Sequence, residues 1–315
     1  MGKITWHIEP TSKCILECPL CDRTWFYQKF KKRLTQDINI DHLITFFKDH
    51  EPSITMCGNN GDPIYHAKFH ELCMRLKKIR SKIEIVTNGS GKKKAWWKKL
   101  CEILTSEDTI EFSIDGLQDT NHLYRINSKW DSIMDAIEVV AKYNIKTTWK
   151  FIVFKHNEHQ IKDAQKLSKK LGIMEFKLIK SDRWWKQDII PSPEYVNPIY
   201  EHQIAVTKGT DKKSTIEQQC MTVQNSDPDH QLYIDSDGDF YPCCKTGLYA
   251  FRYKNIFSPK HKKYNIMNNT IKQILDGYEV KKFFDSTKSY DTADPCCKIY
   301  CGGNKKQMIE KESKI

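Results

Sequence analysis

No stretch of about 18 consecutive apolar residues occurs in this chain, so no membrane-crossing helix is expected. The opening residues MGKITWHIEP lack the charged-then-apolar layout of a signal peptide, and Trp6 stands where a myristoylation pattern needs Ser or Thr. These absences imply a cytoplasmic protein. The formal net charge is +11, and Lys92, Lys93, Lys94, Lys98 and Lys99 lie close together. No Gly-rich basic tail, zinc-finger spacing or aromatic RNA-binding signature accompanies them, so they read as a solvated face rather than a nucleic-acid surface.

What is present is a chain of 315 residues, 39% apolar and 11% aromatic, which fits one large domain plus a smaller one. It carries 12 cysteines, and in a cytoplasmic chain these point to metal or redox chemistry rather than disulfides. Three stand near the start and six follow residue 219. Of the scattered ones, Cys73 and Cys101 fall in helical patterns and read as packed core. Cys57 directly precedes a glycine-containing motif described below.

Cys14, Cys18 and Cys21 form a C-x3-C-x2-C run. Structural zinc sites close with four ligands, and electron-transfer ferredoxins use four cysteines per cluster. Three thiolates leave one iron of a four-iron cluster without a protein ligand, which makes a reaction site rather than an electron wire.

Apolar periodicity gives alternating elements. Strands are expected over 3–9, 53–57, 83–87, 109–114, 146–154 and 176–179. Between them, helices carry Leu43 and Phe46, then Phe69, Leu72 and Leu76, then Trp97 and Leu100, then Ile133 and Ile137, then Ala164 and Leu167. Six alternating strands imply parallel pairing with right-handed crossovers, and ligands gather at the carboxyl ends of such strands. Those ends carry GNNGDP (58–63), TNG (87–89) and SIDG (113–116), with Arg125 ten residues after Asp115.

The cysteine triplet and these strand-end segments in this order resemble the radical S-adenosylmethionine (radical SAM) superfamily. The residue before the third cysteine, often aromatic there, is Leu20 here, and Trp25 and Phe26 offer an aromatic surface instead. The resemblance implies an α/β fold, a partial (β/α)6 TIM-like barrel over 1–190. It implies that Cys14, Cys18 and Cys21 hold a 4Fe-4S cluster whose open iron chelates the amino and carboxylate groups of S-adenosyl-L-methionine (SAM). Asn60, Gly61, Asp62 and Pro63 look like the family's GGEP-type motif, with Asn for a glycine and Asp for Glu. By the same resemblance Asn60, Gly61, Asp62, Asn88, Ser113 and Arg125 bind SAM, Ser113 at the ribose and Arg125 at the carboxylate. Asp115 faces the cavity by pattern, with a catalytic or orienting role.

Residues 191–218 read as a connector with a helix around Tyr200. Residues 219–315 resemble the cysteine-rich SPASM or twitch extensions, a smaller α+β domain holding auxiliary clusters. QLYIDSDGDFYPCC reads as a β-hairpin delivering Cys243 and Cys244. Cys220, Cys243, Cys297 and Cys301 are the expected ligands of one auxiliary 4Fe-4S cluster, with Cys244 or Cys296 able to replace a neighbour. A zinc knot on the same thiolates is the alternative.

The resemblance further implies reductive SAM cleavage to a 5′-deoxyadenosyl radical that removes a substrate hydrogen atom, with flavodoxin or ferredoxin as electron donor. Oxidation or other modification of a small polar molecule or peptide is expected. Alternatives are a peptide maturase forming crosslinks or epimers, for which Cys57, Cys244 or Cys296 are conceivable hydrogen-atom donors, and a non-catalytic metal protein binding nucleic acid. With strand one starting at residue 3, a leader-peptide-binding domain is not expected.

Overall fold

A computed structural model describes residues 5–180, 187–197, 231–252, 263–289, 291–301 and 312–314. Its frame is one nine-stranded sheet. The first six strands in chain order are β1 (Thr5–Ile8), β2 (Ser53–Met56), β3 (Lys82–Thr87), β4 (Thr109–Ser113), β5 (Lys146–Ile152) and β6 (Glu175–Ile179). They lie side by side in that order and every pairing between them is parallel. Five helices answer the expected apolar stripes: Ile40–Phe47, Phe69–Lys78, Lys94–Cys101, Trp130–Val140 and Ile161–Lys170.

These elements form where local chemistry agrees with the pattern. Helix Ile40–Phe47 starts at Asn39, whose side chain accepts from the His42 amide at 3.1 Å, and it buries Leu43, Phe46 and Phe47. The helix Ile161–Lys170 stops short of Gly172, whose φ of 78° is the left-handed conformation that glycine takes without strain. Trp97, Phe112, Trp149 and Phe151 are fully buried, and the Trp149 indole N–H donates to the Ile114 carbonyl at 2.9 Å. A large aromatic core is thereby closed without stranding that polar group.

The sheet continues past the barrel strands on both sides. β7 (Gln231–Ile234) lies parallel to β1, and β8 (Phe240–Tyr241) returns antiparallel to β7, forming the expected hairpin. At the far edge β9 (Glu312–Lys314) runs antiparallel to β6. The described part of the cysteine-rich segment therefore adds a strand next to β1, the strand that leads into the cysteine triplet. The sheet is open, a partial barrel as expected. Of the 191–218 connector, the described part contains a short turn of 3-10 helix at Pro193–Tyr195. The helix expected around Tyr200, and Cys220, lie outside the described residues. Among the described residues no helix is long and apolar enough to cross a membrane.

Candidate functional site

The carboxyl ends of the parallel strands open onto one cavity of about 360 Å3. Cys14, Cys18 and Cys21, from the loop after β1, form part of its wall. Asn60, Gly61 and Asp62 line it from behind β2, Asn88 from behind β3, Ser113 from the end of β4, and Arg125 from the loop beyond. Every cofactor-binding residue expected from the sequence thus meets the triplet at a single place.

The loop after β2 is seated by close backbone approach. A Cβ on Gly61 would stand 1.9 Å from the Thr11 carbonyl oxygen, and one on Gly58 would stand 2.1 Å from that of Gly61. Only glycine permits this packing against the start of the cysteine loop. The Asp62 amide then donates to the Lys13 carbonyl at 2.9 Å. The Asp62 carboxylate accepts from Thr87 Oγ1 at 2.9 Å, from the Asn88 amide at 2.7 Å and from the Ile64 amide at 3.2 Å, so it ties the TNG segment to its own loop. Burial pushes its pKa up to about 6 against those stabilising bonds.

A second carboxylate, which carried no motif in the sequence, locks the same loop from below. Glu9, fully buried at the end of β1, accepts from the amides of Asn60 at 2.7 Å and Gly61 at 2.8 Å. Its other oxygen accepts from the Tyr233 hydroxyl of β7. The 60–62 loop, β1 and β7 are thus joined through one side chain. Glu9 was findable by its place, since it ends a strand whose carboxyl end faces the site.

Asp115 lies behind the cavity wall and is not one of the described lining residues. It is fully buried; Oδ2 accepts from Arg125 Nε at 2.6 Å and Oδ1 from the Ile152 amide at 2.7 Å. Asn157 also sits behind the wall, donating to the carbonyls of Asp115 and Ile152 at 2.9 and 3.0 Å. Arg23, two residues after the triplet, does line the cavity. It is 8% exposed, and its Nε has no hydrogen-bond partner among the described residues.

The three thiols line one cavity, while among the described residues no three His, Cys, Asp or Glu side chains are placed as they stand to hold a single metal ion. Cys14 and Cys18 are near enough to raise the Cys14 pKa through their charges, and Cys18 and Cys21 interact likewise. Burial pushes the Cys14 thiol up to about 12 and the Cys18 thiol up to about 11. Metal ligation would deprotonate both, so metal loading releases protons here. Arg23 lies close enough to both to favour their thiolates, as does Arg125 for Cys18. Leu20, in the place of an aromatic residue, is buried in a small cluster with Leu16, Tyr124 and Phe154. An orphaned buried guanidinium beside three convergent thiols is what an anionic cluster and a carboxylate-bearing ligand would satisfy.

The later cysteines divide. Cys243 begins the turn into helix α8 (Cys244–Arg252), and helix α11 (Pro295–Cys301) carries Cys296, Cys297 and Cys301. Cys296 is buried and lies within charge range of Cys243, Cys297 and Cys301. Cys244 instead turns toward the barrel, where its thiol and that of Cys57 meet the buried His7 ring. His7 Nε2 also bonds the Cys57 carbonyl, and its ring packs edge-on against Tyr233 with centroids 4.9 Å apart.

Residues 8–167 match the model of the Radical SAM superfamily, and residues 226–302 match SPASM, an iron-sulfur cluster-binding domain. The chain is 23% identical over 285 residues to the tungsten-containing aldehyde ferredoxin oxidoreductase cofactor-modifying protein of Pyrococcus furiosus, covering 82% of this chain and 75% of that protein. Among solved structures it resembles SuiB of Streptococcus suis bound to S-adenosylmethionine (TM-score 0.63, 15% identity, 98% of this chain and 74% of that one). It also resembles BtrN in complex with AdoMet and 2-DOIA (TM-score 0.51, 14% identity, 95% and 93%). At these identities the structural likeness establishes the fold.

Proposed function

This chain belongs to the radical SAM superfamily, as an enzyme with a C-terminal SPASM segment, and we propose that it modifies its substrate inside the cavity between the triplet and that segment. The observation that carries this reading is the convergence of Cys14, Cys18 and Cys21 with Asn60, Asp62, Asn88, Ser113 and Arg125 on one cavity. When bound, the cluster and SAM supply one-electron cleavage of the sulfonium and a 5′-deoxyadenosyl radical that takes a hydrogen atom from substrate.

The chain's own residues do the placing. Cys14, Cys18 and Cys21 would hold the cluster and leave one iron open. The loop 60–62, held rigid by Glu9 and by the Asp62 bonds to Thr87 and Asn88, would receive the amino group of SAM. Ser113 would meet the ribose. Arg125 would take the carboxylate through the guanidinium edge not used by Asp115, with Arg23 completing the site. In this reading Asp115 is a positioning residue, since both of its oxygens are engaged behind the wall. Cys220, Cys243, Cys297 and Cys301 would hold the auxiliary cluster, and the buried Cys296 could stand in for its neighbour. The placement of Cys244 beside His7 favours Cys243 as the ligand of that pair.

The names of the relatives span three substrate classes. SuiB has been solved with a precursor peptide, SuiA (TM-score 0.60, 14% identity), BtrN with 2-DOIA, and the Pyrococcus furiosus protein is described as modifying a cofactor. A peptide or a small molecule is therefore the proposed substrate, and a low-potential carrier of the flavodoxin or ferredoxin kind the proposed electron donor.

The test is anaerobic reconstitution followed by reduction and quantification of 5′-deoxyadenosine. Its formation by the wild type and its loss in Cys18→Ala are expected. No SAM cleavage by a fully iron-loaded wild type would overturn the proposal.

A further inference from the structure

Resting on the reading of the triplet as the SAM cluster site, we propose that helix Asp22–Phe30 and the loop after it dock an acidic one-electron carrier protein. Cys21 is the N-cap of this helix, so its surface begins at the last thiol of the triplet. Nine residues at a helical rise of 1.5 Å put Phe30 about 13 Å further along. Electron transfer between proteins falls steeply with distance, so a donor to this cluster has to seat on the surface nearest it.

The helix is built the reverse of one that packs on a core. Its buried residues are the polar Asp22, Arg23 and Thr24, while Tyr27 and Phe30 are 39% and 53% exposed. Aromatic rings left in water contribute little to folding, and an apolar patch rimmed by charge marks a protein contact. The rings are ordered on one another, with Phe30 4.8 Å from Phe26 and edge-on to Trp25 at 6.1 Å, centroid to centroid. The surface continues over the triplet loop. Arg33 lies over the Tyr27 ring at 5.0 Å and approaches Glu17 at 3.8 Å, and the Glu17 amide donates to the Ile126 carbonyl at 3.1 Å. Ile126 is exposed, as is Ile15, which stands between Cys14 and Cys18.

The rim of this patch is basic. Lys29, Lys31, Lys32 and Arg33 fall within five residues, and all four are exposed. Lys29 Nζ stands 5.0 Å from the Trp25 ring centroid and 5.3 Å from that of Phe30, so a cation edges the aromatic patch itself. Cations so placed steer an oppositely charged partner and speed its arrival. A low-potential carrier of the flavodoxin or ferredoxin kind is an acidic protein, so its sign matches. Electron-transfer partners meet over small interfaces, and one helix with its flanking loop is of that scale.

The experiment is anaerobic calorimetric titration of the reconstituted, SAM-loaded enzyme with oxidised flavodoxin in one arm and a 4Fe-4S ferredoxin in the other, at low salt and at about 0.15 M. The wild type is compared with Lys31→Glu/Lys32→Glu, with Phe30→Ala, and with Lys98→Glu/Lys99→Glu, which makes the same charge change on an exposed part of helix Lys94–Cys101. The wild type is expected to bind at least one carrier, more weakly at the higher salt. Lys31→Glu/Lys32→Glu and Phe30→Ala are expected to bind it about tenfold more weakly, and Lys98→Glu/Lys99→Glu to stay within about twofold of the wild type. SAM cleavage driven by dithionite, a small reductant that needs no docking, is expected to stay within about twofold in every variant, while carrier-driven cleavage falls about tenfold in the two patch variants. Absence of binding of both carriers to the wild type, undiminished binding by both patch variants, or an equal loss in Lys98→Glu/Lys99→Glu would overturn the proposal. A wild-type dimer that the patch variants dissolve in sedimentation velocity, without carrier binding, would assign the face to a second copy of the chain and overturn it too. No dithionite-driven cleavage by the wild type would count against the SAM site itself, separately from the titration.

Discussion

Arg125 donates through Nε to Asp115 at 2.6 Å, with Arg125 on the cavity wall and Asp115 fully buried behind it. An arginine held this way presents its remaining N–H groups in one direction. Asp115→Asn removes the charge while keeping the shape. We expect SAM affinity to fall about tenfold with iron content unchanged, measured by titration of the reconstituted protein. Unchanged affinity would remove Asp115 from the positioning role.

Glu9 joins the 60–62 loop to Tyr233 of the auxiliary segment. Tyr233→Phe leaves one Glu9 oxygen without that donor in a buried place. A stability loss of about 1–3 kcal/mol is expected from a buried hydrogen bond to a charged group. Chemical denaturation checks this. A loss of SAM affinity alongside it would show that β7 supports the loop.

Asp62 has its pKa raised by burial to about 6, against about 3.9 in an unfolded chain. The folded state then binds this proton more tightly than the unfolded one. The group's favourable contribution is present below about pH 4 and is lost as pH rises through about 6, a span of about 3 kcal/mol at most. The stability difference between wild type and Asp62→Asn, followed by denaturation without SAM from about pH 4 to 7, should shift against the wild type as pH rises. A flat difference would contradict the raised pKa.

Cys243 and Cys244 are adjacent, yet Cys243 lies within charge range of Cys296 whereas Cys244 meets His7. Cys243→Ala should cost about four irons per chain, the content of one cluster, whereas Cys244→Ala should leave iron content unchanged. Metal analysis of the two variants decides between the neighbours.

The barrel part of the sheet was legible in the sequence because strands β1 to β6 and the intervening helices each carry an apolar period that tertiary packing leaves intact. The cysteine spacing and the strand-end glycines were legible for the same kind of reason, since each is a local necessity. Gly61 must be glycine where a Cβ would strike the Thr11 carbonyl. The partners of Glu9, His7 and Tyr233 were not legible, because they are distant in sequence: Tyr233 and Glu9 are 224 residues apart. Asp115 shows the opposite limit. Its motif placed it at a strand end, but both of its oxygens are taken up behind the wall, by Arg125 and the Ile152 amide, rather than in the cavity.

The most direct measurement is electron paramagnetic resonance of the reduced, reconstituted protein titrated with SAM, for the wild type and for Cys18→Ala. An open iron in the triplet cluster requires one iron-sulfur signal to change on SAM addition and to be missing from the variant, while the auxiliary signal persists in both. A wild-type spectrum that SAM leaves untouched would contradict the claim that this cluster site receives it.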